Sequence, residues 1–230
     1  MKLNIKQNEE VSMIENPIMP LRGPERVRKR PNVIFGSNDG EGVAHALELF
    51  VRLFALEGRL GNCSCLTITL SPDGSITLES RDTGFAMEDS ATWQEIFTGL
   101  QPGPQLWDEA FSQALASEQS RLYGRSEPIP AKLLAPIMPF FDLAVVQMAS
   151  QWMKVESVRH GTLSILSFRD GYPDEELKIT PSNAPTGTTI RFRPAPDVFT
   201  ELTPSLPLLR RFLWKAADGA PNLRCILRID

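Results

Sequence analysis

Histidine and cysteine are scarce in this sequence, which has only two histidines and three cysteines among its 230 residues. The odd number of cysteines (Cys63, Cys65 and Cys225), in a chain too large to need disulfides, favours a reducing cytosol. Cys63-x-Cys65 is a poor zinc site, because so few histidines are present to complete four ligands. Neither His45 nor His160 has a serine or cysteine nucleophile nearby in sequence. The sequence therefore indicates neither a metal site nor a hydrolytic triad.

Long apolar runs and an excess of basic residues are also missing. No apolar run approaches the roughly 18 residues that span a bilayer, and residues 1–10 are too polar for a signal peptide. The formal net charge of −4 gives no general attraction to nucleic acid phosphates. For the one dense basic run, a solvated first turn is favoured over a contact with DNA; it comprises Arg22, Arg26, Arg28, Lys29 and Arg30. We expect a soluble, cytoplasmic protein with no strong nucleic-acid signal.

The length of the chain and its 42% hydrophobic content suit one domain with a single core. Residues 1–20 show no consistent hydrophobic period and contain prolines at 17 and 20, which predicts an extended N-terminal arm. Residues 42–57 carry an apolar stripe too wide for a surface helix, so a mostly buried helix is expected there. Residues 66–70 and 75–80 flank a Ser-Pro-Asp-Gly turn, which predicts a hairpin.

Further helices are predicted at residues 92–100 and 106–119, and the second half of the chain is rich in strands. Strands are predicted at residues 152–159, 163–169, 177–180, 188–193 and 223–229, with a helix at 206–217 before the last of them. Helices packed on one face of a mixed, mostly antiparallel sheet make an α+β two-layer sandwich.

Four motifs follow one another along the chain: L-R-G-P-E-R-V-R-K-R-P at 21–31, D-T-G at 82–84, A-V-V-Q-M-A-S at 144–150 and T-G-T-T-I-R-F-R-P at 186–194. Together they resemble the N-terminal ATPase domain of the B subunits of DNA gyrase and topoisomerase IV, of the gyrase, chaperone, histidine kinase and mismatch-repair ATPase superfamily. The resemblance covers residues 21–230. It implies a Bergerat-type ATPase fold without the transducer domain that follows it in the family.

The resemblance implies a partly retained adenine site. Asp82 matches the aspartate that accepts a hydrogen bond from the adenine amino group, and Gly84 matches a glycine that lets the backbone approach the base. Thr188 matches the threonine that helps to hold this aspartate and its water. Phe85 and Ala86 replace the family's arginine and second glycine. An alternative stays open, in which these residues only build a turn and begin a strand.

The same alignment puts other residues at the family's catalytic positions. Leu49 stands where the family has the glutamate that orients water, and Leu53 where it has the asparagine that holds Mg²⁺. Phe140 and Asp142 stand at two lid glycines whose backbone N–H groups cradle phosphate. We therefore expect no catalytic residue and no metal ligand, and both leucines buried against the sheet. Glu48 becomes the base only if the alignment shifts by one residue, a turn of about 100°.

These residues predict a degenerate gyrase-B-like domain that does not hydrolyse ATP and works as a binding or regulatory module. A protein partner is expected, either a second copy of the chain or a topoisomerase. The cofactor stays open: ATP or another adenine nucleotide is a candidate, whereas Mg²⁺ is not expected. Two alternatives remain, a weak or active ATPase of the type II topoisomerase family that uses Glu48, and a ligand-free dimerisation scaffold. The insertion between Leu106 and Pro139 has no predicted role.

The tryptophans are dispersed along the sequence, at positions 93, 107, 152 and 214. A platform for stacked nucleic acid bases needs several aromatic rings close together. The tryptophans are therefore predicted to be core residues or anchors for a partner.

Overall fold

The computed structural model describes residues 23–59, 61–82, 84, 97 and 139–230, without the side chains of residues 139–142. The predicted arm at 1–20 and the predicted helices at 92–100 and 106–119 lie outside the described residues, except for Phe97. The described helices are α1 (Glu25–Arg28), α2 (Pro31–Phe35), α3 (Gly40–Arg59), α4 (Pro139–Met148) and α5 (Leu206–Gly219). The strands are β1 (Cys65–Leu70), β2 (Ile76–Arg81), β3 (Ser150–Arg159), β4 (Thr162–Arg169), β5 (Tyr172–Pro173), β6 (Lys178–Pro181), β7 (Gly187–Pro194) and β8 (Arg224–Ile229).

These strands form one sheet in the order β5-β4-β3-β7-β2-β1-β8, with β6 also paired to β4. Only the pairing of β1 with β8 is parallel among the described strands. The predicted hairpin of β1 and β2 turns at Gly74, whose φ of 78° favours glycine. The mixed, mostly antiparallel sheet with its helices confirms the predicted α+β sandwich. No helix in the described part of the chain is long and apolar enough to cross a membrane.

The core lies between α3 and one face of the sheet. Alternate residues of the central strands are buried on this face, among them Leu78 on β2 and Ile190 on β7, while their neighbours Glu79 and Arg191 are exposed. The Phe50 ring of α3 packs on Phe192 of β7, with ring centroids 5.8 Å apart. Most residues of α3 are buried. The wide apolar stripe that predicted a buried helix is thus confirmed.

The start of α3 is fixed two residues before the predicted Gly42. The Ser37 hydroxyl donates to the Asp39 carboxylate at 2.7 Å, and the Glu41 N–H donates to the same oxygen at 2.9 Å. The hydrogen bond from Ser37, followed by that from Glu41, lowers the pKa of Asp39. A Cβ at Gly42 would lie 2.1 Å from the Ser37 carbonyl oxygen, so only glycine fits this turn.

The basic run at residues 22–30 is not simply a solvated turn, because Arg28 is mostly buried. Its side chain is 17% exposed and donates to both carboxylate oxygens of Asp197, at 2.7 and 2.8 Å. It also donates to the carbonyls of Met148 and Ser150, at 3.2 and 3.3 Å. The expectation of a solvated run is therefore wrong for Arg28. This side chain joins α1 to the end of α4, the start of β3 and the segment after β7.

We predict that Arg28→Ala lowers the free energy of unfolding by about 2 kcal/mol, because two backbone carbonyls and a carboxylate lose their shared donor. Arg28→Lys should recover only a small part, since an ammonium group cannot reproduce the planar set of donors. Urea denaturation measures both changes. Lys29→Ala is the matched control, because Lys29 lies at the surface and pairs with the exposed Glu25. An equal loss in the control would contradict the assignment.

Candidate functional site

Asp82 follows directly after β2 and leaves the sheet with a left-handed backbone, at φ 72°. Aspartate adopts this conformation more readily than most residues, because its short side chain can bond locally. The Asp82 N–H donates to the carbonyl of Thr186 at 3.1 Å, which ties the turn to the segment before β7. The exposed Asp82 carboxylate accepts a hydrogen bond from the Ser64 hydroxyl. The predicted adenine acceptor is thus held at the surface by a residue just before β1.

Thr188 is the second residue of β7 and is only 1% exposed. Its N–H donates to the Ser80 hydroxyl at 3.2 Å, and that hydroxyl donates to the Thr188 carbonyl at 3.4 Å. The register continues this row to Ser157 on β3 and Ser164 on β4, which are also buried. Four hydroxyl side chains therefore follow one another across β2, β7, β3 and β4, at strand spacings of about 4.8 Å. This end of the core is polar.

Gly84 lies against the end of β3. A Cβ at this position would be 2.3 Å from the Val158 carbonyl oxygen and 2.8 Å from the Arg159 Cβ. Val158 pairs with Gly187 of β7, which in turn pairs with Arg81 of β2. Asp82, Gly84 and Thr188 therefore lie at the same end of three neighbouring strands. The structure brings the three predicted site residues together.

We predict that Gly84→Ala destabilises the protein by about 1–3 kcal/mol, because the methyl group meets the backbone of β3 and cannot be accommodated by a rotamer change. Thermal unfolding measures the loss. Thr189→Ala, a partly exposed position on the adjacent β7, is the control and should change stability far less. A fully stable Gly84→Ala protein would show that the chain after Asp82 does not approach β3 this closely.

The helix α3 carries the residues aligned with the catalytic positions. Leu53 is buried, at 6% exposure, as predicted. Leu49 packs against the core but is only partly buried, so the prediction overstated its burial. It lies one helical step from Glu48, which faces partly toward solvent, and so stands at the border of the apolar stripe. The described residues include no group of three or more histidine, cysteine, aspartate or glutamate side chains placed to hold a metal ion.

Glu48 is engaged on the side of α3 that faces α5. Its Oε2 lies 3.2 Å from Nδ1 of His45, and its side chain is 29% exposed. The His45 ring packs in turn on Phe212 of α5, with centroids 5.4 Å apart. The side chains of Phe140 and Asp142, which the alignment puts in the lid, lie outside the described residues.

Sequence reasoning missed Ser64 as a partner of Asp82. The hairpin pairs Cys65 with Arg81, so extending that register by one step places Ser64 opposite Asp82. The alternating pattern predicted the two strands but not which residues lie opposite one another. The strand register would have predicted this contact, but the register is known only once the turn of the hairpin is fixed.

The chain has the α+β sandwich fold expected for a gyrase-B-like ATPase domain, with Asp82, Gly84 and Thr188 clustered at the ends of β2, β7 and β3. The chain is similar to the B subunit of DNA topoisomerase 4 from Staphylococcus epidermidis, with 28% identity over 201 residues that cover 85% of the chain and 27% of the relative. The corresponding protein of Staphylococcus aureus is 27% identical over 226 residues, which cover 96% of the chain and 31% of the relative. No protein-family model matches.

This similarity confirms the predicted resemblance to the ATPase domain of gyrase B and topoisomerase IV B. The chain spans less than a third of the length of these relatives.

Proposed function

We propose that this chain is a gyrase-B-like domain that has lost ATP hydrolysis and acts in the cytoplasm as a binding or regulatory module. In this proposal its partner is a protein, either a topoisomerase or a second copy of the chain. The boundary of the module is residues 21–230, with residues 1–20 as a separate arm. The similarity to the B subunit of DNA topoisomerase 4 supports a topoisomerase as the partner.

The observation that carries the proposal is the pair of leucines on α3. Leu53 is buried in the core and Leu49 packs against it, where the alignment expects the side chains that bind Mg²⁺ and orient water. A leucine can neither accept a proton nor coordinate a cation. Burying such a side chain instead stabilises the fold by about 1.5–3 kcal/mol. The proposal is that the catalytic centre has become part of the core.

The position of Glu48 supports the same proposal over the ATPase alternative. A general base must reach the water that attacks the phosphate. Glu48 instead lies beside His45, on the side of the helix that contacts α5. Taking the role of base would require Glu48 to leave this partner and α3 to rotate by about 100°. Rotation by that amount would expose buried residues such as Phe50 and Leu53.

The arrangement of Asp82, Gly84 and Thr188 supports weak binding of an adenine group. The carboxylate of Asp82 is exposed, Gly84 holds the chain after it close against β3, and the nearby strand ends carry hydroxyl groups. We therefore include an adenine nucleotide as a ligand of the proposed module, bound through its base and not through its phosphates.

We predict that the purified chain hydrolyses no ATP above background, with or without Mg²⁺. The double variant Leu49→Glu with Leu53→Asn should also be inactive, because a restored base and metal ligand do not by themselves rebuild the stabilisation of the transferred phosphate. A coupled phosphate-release assay measures both proteins. Glu48→Gln is the control for contamination: activity that persists in this variant is not due to Glu48. Hydrolysis by the parent chain that Glu48→Gln abolishes would establish the ATPase alternative.

We predict that adenosine and ADP bind with a dissociation constant no tighter than about 10–100 μM, which corresponds to about 6 kcal/mol. Asp82→Asn should abolish this binding, because the amide replaces the carboxylate that accepts from the adenine amino group. Isothermal titration calorimetry measures the affinity. Asp73→Asn is the matched control, because Asp73 lies in the turn at the opposite end of β2 and bonds Ser75. If Asp73→Asn also loses binding, or if the parent chain shows no binding at millimolar ligand, Asp82 does not bind adenine and serves only as a turn residue.

A further inference from the structure

A tryptophan lies on the solvent side of α5. Trp214 is 68% exposed, although tryptophan buries more surface than any other residue type when it is covered. The opposite side of α5 holds the helix to the core through Leu209, Phe212 and Leu213, so Trp214 is not needed for packing. Of the two predicted roles, core residue or anchor for a partner, this exposure favours the second.

Three cations surround this ring. Arg210 and Arg211 lie one turn before Trp214, Lys215 follows it, and all three are exposed. None of them forms an ion pair with another residue in the described part of the chain. The guanidinium of Arg211 lies 5.7 Å from the ring centroid of Phe212, which limits its freedom. The Arg-Trp face is defined as Arg210, Arg211, Trp214 and Lys215. One carboxylate, Asp218, follows one turn after Trp214, so three cations and one anion surround the ring and the excess charge is positive.

We propose that the Arg-Trp face of α5 binds an acidic segment of a partner protein, with an apolar side chain of the partner against Trp214 and its carboxylates on Arg210, Arg211 and Lys215. Tryptophan and arginine are the residues that most often dominate the energy of protein interfaces. Guanidinium groups bind carboxylates with two parallel hydrogen bonds. The positive charge of this face thus selects a segment that carries carboxylates. This assignment rests on the proposed function and places the protein partner of the binding module at the Arg-Trp face of α5.

Two other occupants fit this face less well. A second copy of the chain would have to place the same cations opposite one another in a symmetric contact, which is repulsive. A nucleic acid would find one ring and three cations on a single convex helix, whereas single-strand sites combine a positive groove with several rings. The Arg-Trp face therefore fits a short acidic and apolar protein segment.

The test uses the full chain and a fluorescein-labelled synthetic peptide, Glu-Glu-Leu-Glu-Glu-Leu-Glu-Glu. Fluorescence anisotropy should show saturable binding below about 1 mM that weakens with salt. Trp214→Ala and the double variant Arg210→Glu with Arg211→Glu should each weaken it at least about tenfold. Lys29→Glu, a charge reversal on α1, is the control and should leave it unchanged. Because all these positions are exposed, equal melting temperatures will show that the variants are folded.

Three results would overturn the inference. One is no binding, or binding that the α5 variants do not weaken. The second is tighter binding of a thymidine oligonucleotide of equal charge, which would assign the face to nucleic acid. The third is a monomer–dimer equilibrium in sedimentation that Trp214→Ala abolishes, which would assign it to a second copy. The result of the peptide experiment is independent of the result for ATP hydrolysis. A chain that hydrolyses ATP could still bind the peptide, and a chain that hydrolyses none could fail to bind it.

Discussion

The packing of α3 against the sheet is the interaction on which the rest of the structure depends. Val43, Leu47, Phe50 and Phe54 are fully buried along this helix, and Phe50 contacts Phe192 on the central strand β7. The apolar surface of this helix continues through Leu53, so α3 contributes to the stability of the core along most of its length.

The buried polar residues of the core are concentrated at one end of the sheet. At the ends of β2, β7 and β3 the core is still polar, with Ser80, Thr188 and Ser157 buried in one row. Buried hydroxyls lose hydration and need hydrogen-bonding partners, so a fold that no longer used this end for a ligand would gain by replacing them with apolar residues. These buried hydroxyls beside Asp82 are the physical basis of the adenine site that we propose at this end of the sheet.

Much of the architecture follows from local patterns, because period and turn chemistry act over short stretches. The hairpin of β1 and β2, the helix α3 and the strands from β3 onward, except the two-residue β5, are placed within about two residues of the observed bounds. What could not be predicted depends on distant neighbours: the hydrogen bond of Ser64 to Asp82, the burial of Arg28 and the exposure of Trp214. A hydrophobic period tells which side of an element is buried, but not which polar group lies against it. Leu49 is a further example: it lies at the border of the apolar stripe of α3, and the hydrophobic period did not predict that it is only partly buried.

The contact of Arg28 with Asp197 joins residues 169 positions apart, and its other partners are carbonyls at the junction of α4 and β3. Closing a loop of this length costs chain entropy, so we expect this contact to form late in folding. Interactions formed after the transition state slow unfolding without speeding folding. We therefore expect the Arg28 guanidinium, which is mostly buried, to act chiefly on the lifetime of the folded chain, because it holds the first described segment to a sheet that is completed much later in the sequence.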